Sequence, residues 1–134
     1  MMNLQQQFET AVPQEPDALT GDYAVHLVAR FLPRPIRFLG HTKVFERTPD
    51  GIRGYNAFLG KLIKAGHFRV EKGMSADGTE VTKIIYDTRK NPPIMRPLVD
   101  EVRETRPGQF LGRGMYRLGS AARNIFWFTV TREN

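Results

Sequence analysis

The chain has 134 residues, 40% hydrophobic and 25% charged, with a net charge of +6 at pH 7. This length fits one domain with a sizeable core, and the composition is close to ordinary globular usage, which excludes wholesale disorder. Cysteine is absent, which excludes disulfides, thiolate metal sites, iron–sulfur ligation and a cysteine nucleophile.

Targeting signals are not expected. Met1 to Gln7 is polar and lacks the basic and apolar regions of a signal peptide. No apolar stretch approaches the roughly 20 residues that span a bilayer. The sequence therefore predicts a cytoplasmic protein without a membrane span.

The positive charge is spread along the chain rather than gathered in a tail. Arginines occur mostly singly among acidic residues, and the nearest cluster is Arg30, Arg34 and Arg37. A solvated basic surface is the favoured interpretation, phosphate binding is the alternative, and a nucleic-acid partner is not expected.

The N-terminal segment predicts a short helix. Leu4, Phe8 and Val12 recur at helical spacing until Pro13 ends the pattern. We expect residues 1–18 to form this helix and a linker, lying across the mouth or end of a sheet. Residues 19–134 are then a single β-barrel domain.

Strand patterns begin after Leu19. Gly21 opens a strand that places Tyr23 and Val25 on one face and His26 on the other. Pro33 and Pro35 mark an edge, bend or loop. A second strand is predicted from Ile36 to Arg47, with a kink at Gly40 and a turn from Thr48 to Gly51.

The middle of the chain contains one ambiguous segment and one clear hairpin. Residues 54–65 fit either a helix or a pair of strands, because apolar residues at helical spacing are interrupted by Gly54 and Gly60. The segments on either side of Asp77-Gly78 predict a hairpin, since this dipeptide tolerates positive φ in a tight turn.

The last third of the chain is predicted as one short helix and two strands. Met95 to Arg106 has apolar residues among charged ones and indicates a short amphipathic helix. Asp100, Glu101 and Arg103 then lie on a helical surface held to the barrel by arginine–carboxylate contacts. Gln109 to Leu118 and Ala122 to Arg132 form the two strands.

These elements predict a mainly β protein with six or seven strands and two or three short helices. Neighbouring strands are expected to be antiparallel, because no long helical crossovers separate them. Closing the sheet into a barrel hides its edges, and an eight-stranded barrel holds one small ligand. A two-sheet sandwich is the structural alternative.

Three motifs, in order, resemble a known family. Gly21-Asp22-Tyr23 resembles the Gly-x-Trp opening of lipocalins, with tyrosine in place of tryptophan. Asp100-Glu101-x-Arg103, followed by Pro107-Gly108-x-x-Leu111-Gly112-Arg113, looks like the end of small bacterial lipocalin-like (calycin-type) β-barrel proteins of uncharacterised function. The resemblance implies an antiparallel lipocalin-like barrel with a cavity for an apolar small molecule.

Candidate catalytic residues are few. His26 is the histidine expected to face a cavity, where it would carry a proton near neutral pH. Tyr86 and Asp87 end a strong strand and would orient a ligand or act as a base, although such residues more often bind loop amides. No metal site and no cofactor are predicted, because His26, His41 and His67 lack ligand spacing.

Candidate ligand-binding residues lie on the last two strands. We expect a pocket where Gly112 and Gly114 remove side-chain volume beside phenylalanine walls, so that Gly114→Leu would fill it. Arg113 and Arg117 would anchor a carboxylate if they point inward, but outward is favoured because a buried charge is costly unless paired. The predicted ligand-binding set is Phe110, Gly112, Gly114, Tyr116, Phe126, Phe128 and Arg113.

The sequence leaves three functions open. The favoured one is binding of an apolar or amphipathic small molecule inside the barrel. The alternatives are an enzyme on the same scaffold, using general acid/base groups in the cavity, and an interaction module that uses the basic surface. The sequence does not determine the ligand or the oligomeric state.

Overall fold

The computed structural model describes residues 2–28, 41–59 and 62–133, which form a closed barrel of eight antiparallel strands preceded by a short helix. The helix α1 is Leu4–Thr10, and a 3₁₀ turn follows at Pro16–Ala18. The strands are β1 Gly21–Leu27, β2 His41–Thr48, β3 Gly51–Phe58, β4 Ile63–Met74, β5 Glu80–Ile85, β6 Leu98–Arg106, β7 Gln109–Leu118 and β8 Ala121–Arg132.

Each strand pairs with the next in sequence, and β8 pairs back with β1 to close the barrel. The connections therefore alternate between the two ends. The last residues of β1, β3, β5 and β7 and the first residues of β2, β4, β6 and β8 share the end that we call the cavity end. The opposite end carries the N-terminal segment and is called the closed end. The predicted fold class, a mainly β antiparallel barrel with a short N-terminal helix, is confirmed. The described residues form eight strands rather than the six or seven predicted.

Turn chemistry predicted the hairpins well. Gly78 has φ +86° in the β4–β5 turn, and Gly51 has φ +112° after the β2–β3 turn, so both positions favour glycine. The terminal strand pair is also confirmed. The features predicted at Pro33 and Pro35, and the part of the second strand from Ile36 to Gly40, lie outside the described residues.

The structure resolves one open alternative from the sequence analysis and corrects one prediction. In the described part of residues 54–65, β3 continues to Phe58 and β4 begins at Ile63, so the strand-pair alternative is correct. The predicted helix from Met95 to Arg106 is wrong, because β6 occupies Leu98–Arg106. Asp100 points inward with Leu98 and Val102, and a polar residue at an inward position hid the strand alternation.

The barrel interior is tightly packed with side chains toward the closed end. Its fully buried side chains include Tyr23, Phe45, Phe68, Ile84 and Phe110. The Tyr23 and Phe45 rings meet edge to face with centroids 5.3 Å apart, and those of Phe45 and Phe68 are 5.2 Å apart. The cavity described below lies nearer the other end.

The N-terminal linker covers the closed end. Leu19 is completely buried in the core, and the Gln14 carbonyl accepts a hydrogen bond from Thr82. Arg132, at the end of β8, donates to the Tyr23 hydroxyl at 2.7 Å, and its guanidinium lies 5.2 Å from the Tyr23 ring. The first and last strands are thus joined where the linker passes.

The helix itself lies on the outer wall rather than across an end, which corrects the sequence-based placement. Phe8 is fully buried against Val81 and Leu111, and its ring meets Trp127 edge to face at 5.7 Å. These outward apolar side chains need a cover, and α1 provides it. No helix among the described residues has the length and apolarity to cross a bilayer.

Candidate functional site

A cavity of about 220 Å³ lies inside the barrel near the cavity end. Its walls are largely apolar and come from strands around the barrel. The apolar lining residues are Val25, Leu27, Phe58, Met95, Leu98, Phe126 and Phe128. Inward positions of the strands place these side chains together, because residues two apart on a strand share a face.

One side of the cavity carries a buried polar cluster of Lys43, Asn56, Tyr86 and Asp100. The Lys43 ammonium donates to Asn56 Oδ1 at 2.7 Å and to the Tyr86 hydroxyl at 2.5 Å. It also pairs with Asp100 Oδ2 at 3.2 Å. All three hydrogens of the ammonium are therefore used within the cluster.

The remaining donors of the cluster are also used internally. The Tyr86 hydroxyl donates to Asp100 Oδ2 at 2.8 Å. The Asn56 amide donates to the Gly66 carbonyl at 3.2 Å and to the Tyr86 oxygen at 3.4 Å. Among the described residues, Asp100 Oδ1 is buried and has no hydrogen-bond partner. The unused hydrogen-bonding atom of the described cluster is therefore an acceptor.

Burial shifts the pKa values of two groups in the cluster. It lowers the pKa of Lys43, and the ion pair with Asp100 offsets part of this effect. Burial raises the pKa of Tyr86 well above its ordinary value, and the nearby Asp100 charge raises it further. Tyr86 therefore stays protonated at neutral pH and keeps its hydroxyl as a donor to Asp100.

Three of the predicted site residues border this cavity. Tyr86 belongs to the polar cluster, and Phe126 and Phe128 form part of the apolar wall. Their inward orientation on β8 is the one predicted from the alternation. The ring centroids of the two phenylalanines are 5.7 Å apart.

The pocket predicted directly beside the glycines is not present, although both glycines face inward. A Cβ at Gly112 would lie 2.3 Å from the Phe128 ring, and one at Gly114 would lie 2.3 Å from the Phe126 ring. The two rings occupy the volume that the glycines leave, as aromatic residues often do opposite strand glycines. A leucine at position 114 would meet Phe126 before it reached the cavity.

Two predicted catalytic candidates lie outside the barrel. His26 is exposed, because its neighbours Tyr23 and Val25 bury more apolar surface by taking the inward face of β1. Asp87 is exposed and forms an ion pair with Arg69 at 3.0 Å. Neither residue is among those that line the cavity.

The other predicted ligand-binding side chains make contacts within the protein and do not line the cavity. Phe110 is buried in the solid core, and the Tyr116 hydroxyl donates to the Ile94 carbonyl at 2.6 Å. Arg113 faces outward beneath α1, where its Nε donates to the buried Glu101 at 2.8 Å. The arginine–carboxylate contact expected near residues 100–103 therefore exists, but it joins two strands rather than a helix to the barrel.

Two of the three histidines, His26 and His41, border one surface groove next to β1 and β2, and His67 lies on another strand. His41 borders the cavity with its ring 5.0 Å from that of Phe58, His67 is on β4, and His26 is on the outer wall. Within the described part of the chain, no three residues of metal-ligating type are grouped to hold a metal ion.

Sequence analysis missed Lys43, Asn56 and Asp100 as site residues. Each is polar at an inward strand position, where an apolar residue is expected. Lys43 was visible as a charged residue two positions before Phe45 on the same face of β2. No local motif links these three residues, and only closure of the barrel brings them together.

Comparisons with known proteins support the fold. A crystal structure of a protein from Thermomonospora curvata resembles the barrel with a TM-score of 0.59, over 95% of this chain and 83% of that chain. The two sequences are 20% identical, so the likeness shows the fold alone. No protein-family model and no curated protein matches the sequence.

Proposed function

We propose that the barrel binds a small, largely apolar molecule that presents one hydrogen-bond donor to Asp100. The observation that carries this proposal is an apolar cavity beside a buried polar cluster in which one acceptor, Asp100 Oδ1, is unpaired among the described residues. Because this atom has almost no accessible surface, a ligand donor would reach it through a small shift of the surrounding side chains. An unpaired buried polar atom costs free energy, which a complementary ligand would recover.

The cavity is open on one side, so its volume indicates how much of a ligand it encloses. A cavity of about 150 Å³ lined by apolar side chains binds benzene. At about 220 Å³, this cavity fits a ligand on the order of ten non-hydrogen atoms, scaled from the benzene case. A substituted phenol, a small alcohol or a small azole has suitable size and a donor.

A carboxylate ligand fits the cluster poorly. The Lys43 ammonium already has three acceptors within the protein, and the free oxygen belongs to an acidic side chain. A second carboxylate would face Asp100 without a free donor. Arg113, on the other side of the sheet, does not line the cavity.

Calorimetric titration with three matched ligands tests the proposal. The ligands are p-cresol, 4-methylanisole, in which the donor is capped, and p-toluate, which carries a carboxylate. We expect p-cresol to bind about tenfold more tightly than 4-methylanisole, since capping leaves a buried acceptor unpaired, and p-toluate to bind more weakly still. Equal affinities for the first two would refute donor recognition, whereas no binding of any would refute the cavity function.

Substitutions on β6 provide the matched protein control. Leu98 borders the cavity, and its neighbour Val99 points to the other side of the sheet. Leu98→Phe should reduce p-cresol affinity about tenfold or more by filling the cavity, while Val99→Phe should leave it unchanged. Equal losses in both variants would show that binding occurs elsewhere.

The polar cluster favours a second candidate, an enzyme that acts on the cavity ligand. Groups with shifted pKa values beside a cavity often perform general acid/base chemistry, and Lys43 and Tyr86 are such groups. A carbonyl ligand would allow the Lys43 amine to add to the carbonyl carbon and lose water, which gives an imine.

Reductive trapping with benzaldehyde and cyanoborohydride tests the second candidate. Peptide mapping would locate the benzyl group that remains on each modified lysine. Modification of Lys43 at least as fast as of the exposed Lys64 would support a reactive amine at the cavity. Modification of Lys64 with none at Lys43 would refute it.

The lipocalin-like family and the cytoplasmic location remain part of the proposal. The barrel is closed and eight-stranded, and its first strand begins with Gly21-Asp22-Tyr23. Both features support the resemblance to small bacterial lipocalin-like proteins. The absence of cysteine in the sequence is compatible with a reducing compartment.

A further inference from the structure

Exposed apolar side chains are concentrated at the cavity end of the barrel. Ten large hydrophobic residues are exposed in the described part of the chain, and all except Met2, Val12 and Met74 lie at or beside this end. We call these seven the apolar rim: Val28, Leu59, Leu62, Ile63, Ile94, Leu118 and Ile125. Exposed apolar residues gathered at one end of a domain mark an interaction site more often than scattered single residues do.

Leu59 is the most unusual member of the rim. It is 67% exposed and has φ +52°, a conformation that glycine or asparagine adopts more readily than leucine. Neither core packing nor backbone geometry therefore explains a leucine at this position. Its neighbour Leu62 is 85% exposed.

Basic side chains surround the rim. The described connections and strand ends at the cavity end contain six of them: Lys64, Arg89, Lys90, Arg96, Arg117 and Arg123. Two acidic side chains lie close to these residues: Asp87 is paired with Arg69, and Glu133 lines a groove with Leu59 and accepts a hydrogen bond from Thr42. Acidic residues such as Glu15, Asp17 and Glu80 lie at the closed end, so the charge is polarised along the barrel axis.

We propose that the cavity end docks on an anionic lipid surface. The rim would enter the boundary between headgroups and acyl chains, and the basic side chains would lie near the anionic headgroups. Lipid is favoured over single-stranded nucleic acid because the rim is aliphatic, and nucleic-acid surfaces use aromatic side chains to stack on bases. The inference does not depend on ligand binding in the cavity.

Vesicle sedimentation tests the docking surface, using the purified chain and vesicles of phosphatidylcholine with or without phosphatidylglycerol. We expect the partition coefficient to be at least tenfold higher on the anionic vesicles. Each basic side chain near such a surface contributes about fivefold, so Arg117→Glu with Arg123→Glu should reduce partitioning more than tenfold. Arg47→Glu with Arg106→Glu, the same charge change at the closed end, should reduce it less than threefold.

Apolar variants complete the experiment. Leu59→Ser with Leu62→Ser should reduce partitioning about tenfold, while Val12→Ser with Met74→Ser, away from the cavity end, should change it little. Leu59→Gly is a check against unfolding: it should reduce partitioning and leave the thermal stability unchanged or higher, because it removes backbone strain.

Three results would each overturn the proposal. The first is equal partitioning on neutral and anionic vesicles. The second is an equal effect of the two charge-reversal pairs, which would indicate general attraction by the net charge of +6. The third is vesicle binding that is insensitive to the rim substitutions but is competed by heparin, which would indicate a soluble polyanion as the partner.

Discussion

Lys43 and Asp100 form a buried ion pair, and each of the two side chains is 3% exposed. Removing one partner of such a pair leaves an uncompensated buried charge. The pair therefore constrains the stability of the barrel as well as the chemistry of the cavity.

We expect Lys43→Met to lower the free energy of unfolding by about 3–5 kcal/mol, because Asp100 would lose its counter-charge. The double variant Lys43→Met with Asp100→Leu should recover at least half of that loss. Urea denaturation of the two single variants and the double variant measures the coupling. Additive losses would contradict a tightly coupled pair.

Prediction from sequence succeeded for residues that follow strand alternation. Phe126 and Phe128 were placed on the inward face correctly because the two faces of β8 differ from each other in polarity. Asp100 was missed because its environment depends on Lys43, which lies 57 positions earlier in the sequence. Pairing between distant polar residues leaves no local pattern.

At the scale of elements, Arg113 connects α1 to the wall of the barrel. Its guanidinium bonds Glu101 at 2.8 Å, Ser75 at 2.9 Å and Gln5 at 3.0 Å, and it lies 4.5 Å from the Phe8 ring. Gln5 and Phe8 belong to the helix, while the other partners belong to the barrel wall. Arg113 therefore adds polar contacts to the apolar packing of Phe8 that holds the helix on the wall.

Arg113→Met should destabilise the fold by about 3–5 kcal/mol, since Glu101 would remain buried without its partner. Hydrogen exchange in residues 4–10 should accelerate, while p-cresol affinity per folded molecule stays unchanged. Arg117→Met, at an exposed position on the same strand, is the control and should change stability by less than about 0.5 kcal/mol. Loss of p-cresol binding in folded Arg113→Met would contradict the outward assignment.

Asp77, in the β4–β5 turn, pairs with Arg113 and makes the stability of the fold depend on pH. Its partial burial alone would raise the pKa, but hydrogen bonds from Thr79 and the charge of Arg113 outweigh burial and lower the pKa from 3.8 to about 2. A depressed carboxyl pKa stabilises the folded state above pH 3.8, and this stabilisation disappears as the pH falls through about 2.

We therefore expect Asp77→Asn to reduce stability at pH 6 by a few tenths of a kcal/mol, because the side chain is partly exposed and its ion pair is screened. The difference from the parent chain should shrink near pH 2 and vanish below it. Denaturation curves at pH 6, 4 and 2 measure it, and a difference that grows in acid would contradict the sign.

The elements that sequence analysis recovered are those with local signals. Asp77-Gly78 specified its hairpin through turn chemistry, and apolar spacing specified α1. The prediction failed for β6 because Asp100 occupies an inward position, which made Leu98, Val99 and Val102 resemble a helical stripe. The polar residue that defines the candidate site is thus the one that obscured its own strand.

Over the whole molecule, the barrel divides into a packed half and a half with a cavity. Leu19, Tyr23 and Arg132 fill and join the closed end, while the cavity, the apolar rim and the basic side chains share the other end. The closed barrel was predictable because consecutive antiparallel strands need their edges covered. The distribution of space and charge between the two ends was not, because it depends on how all eight strands close.

The most direct test of the central claim is a crystal structure of the chain grown with p-cresol. The account predicts electron density for one p-cresol molecule between Leu98 and Phe126, with its hydroxyl within hydrogen-bond distance of Asp100 Oδ1. Density at other sites with none in this cavity, or a cresol hydroxyl directed away from Asp100, would contradict it.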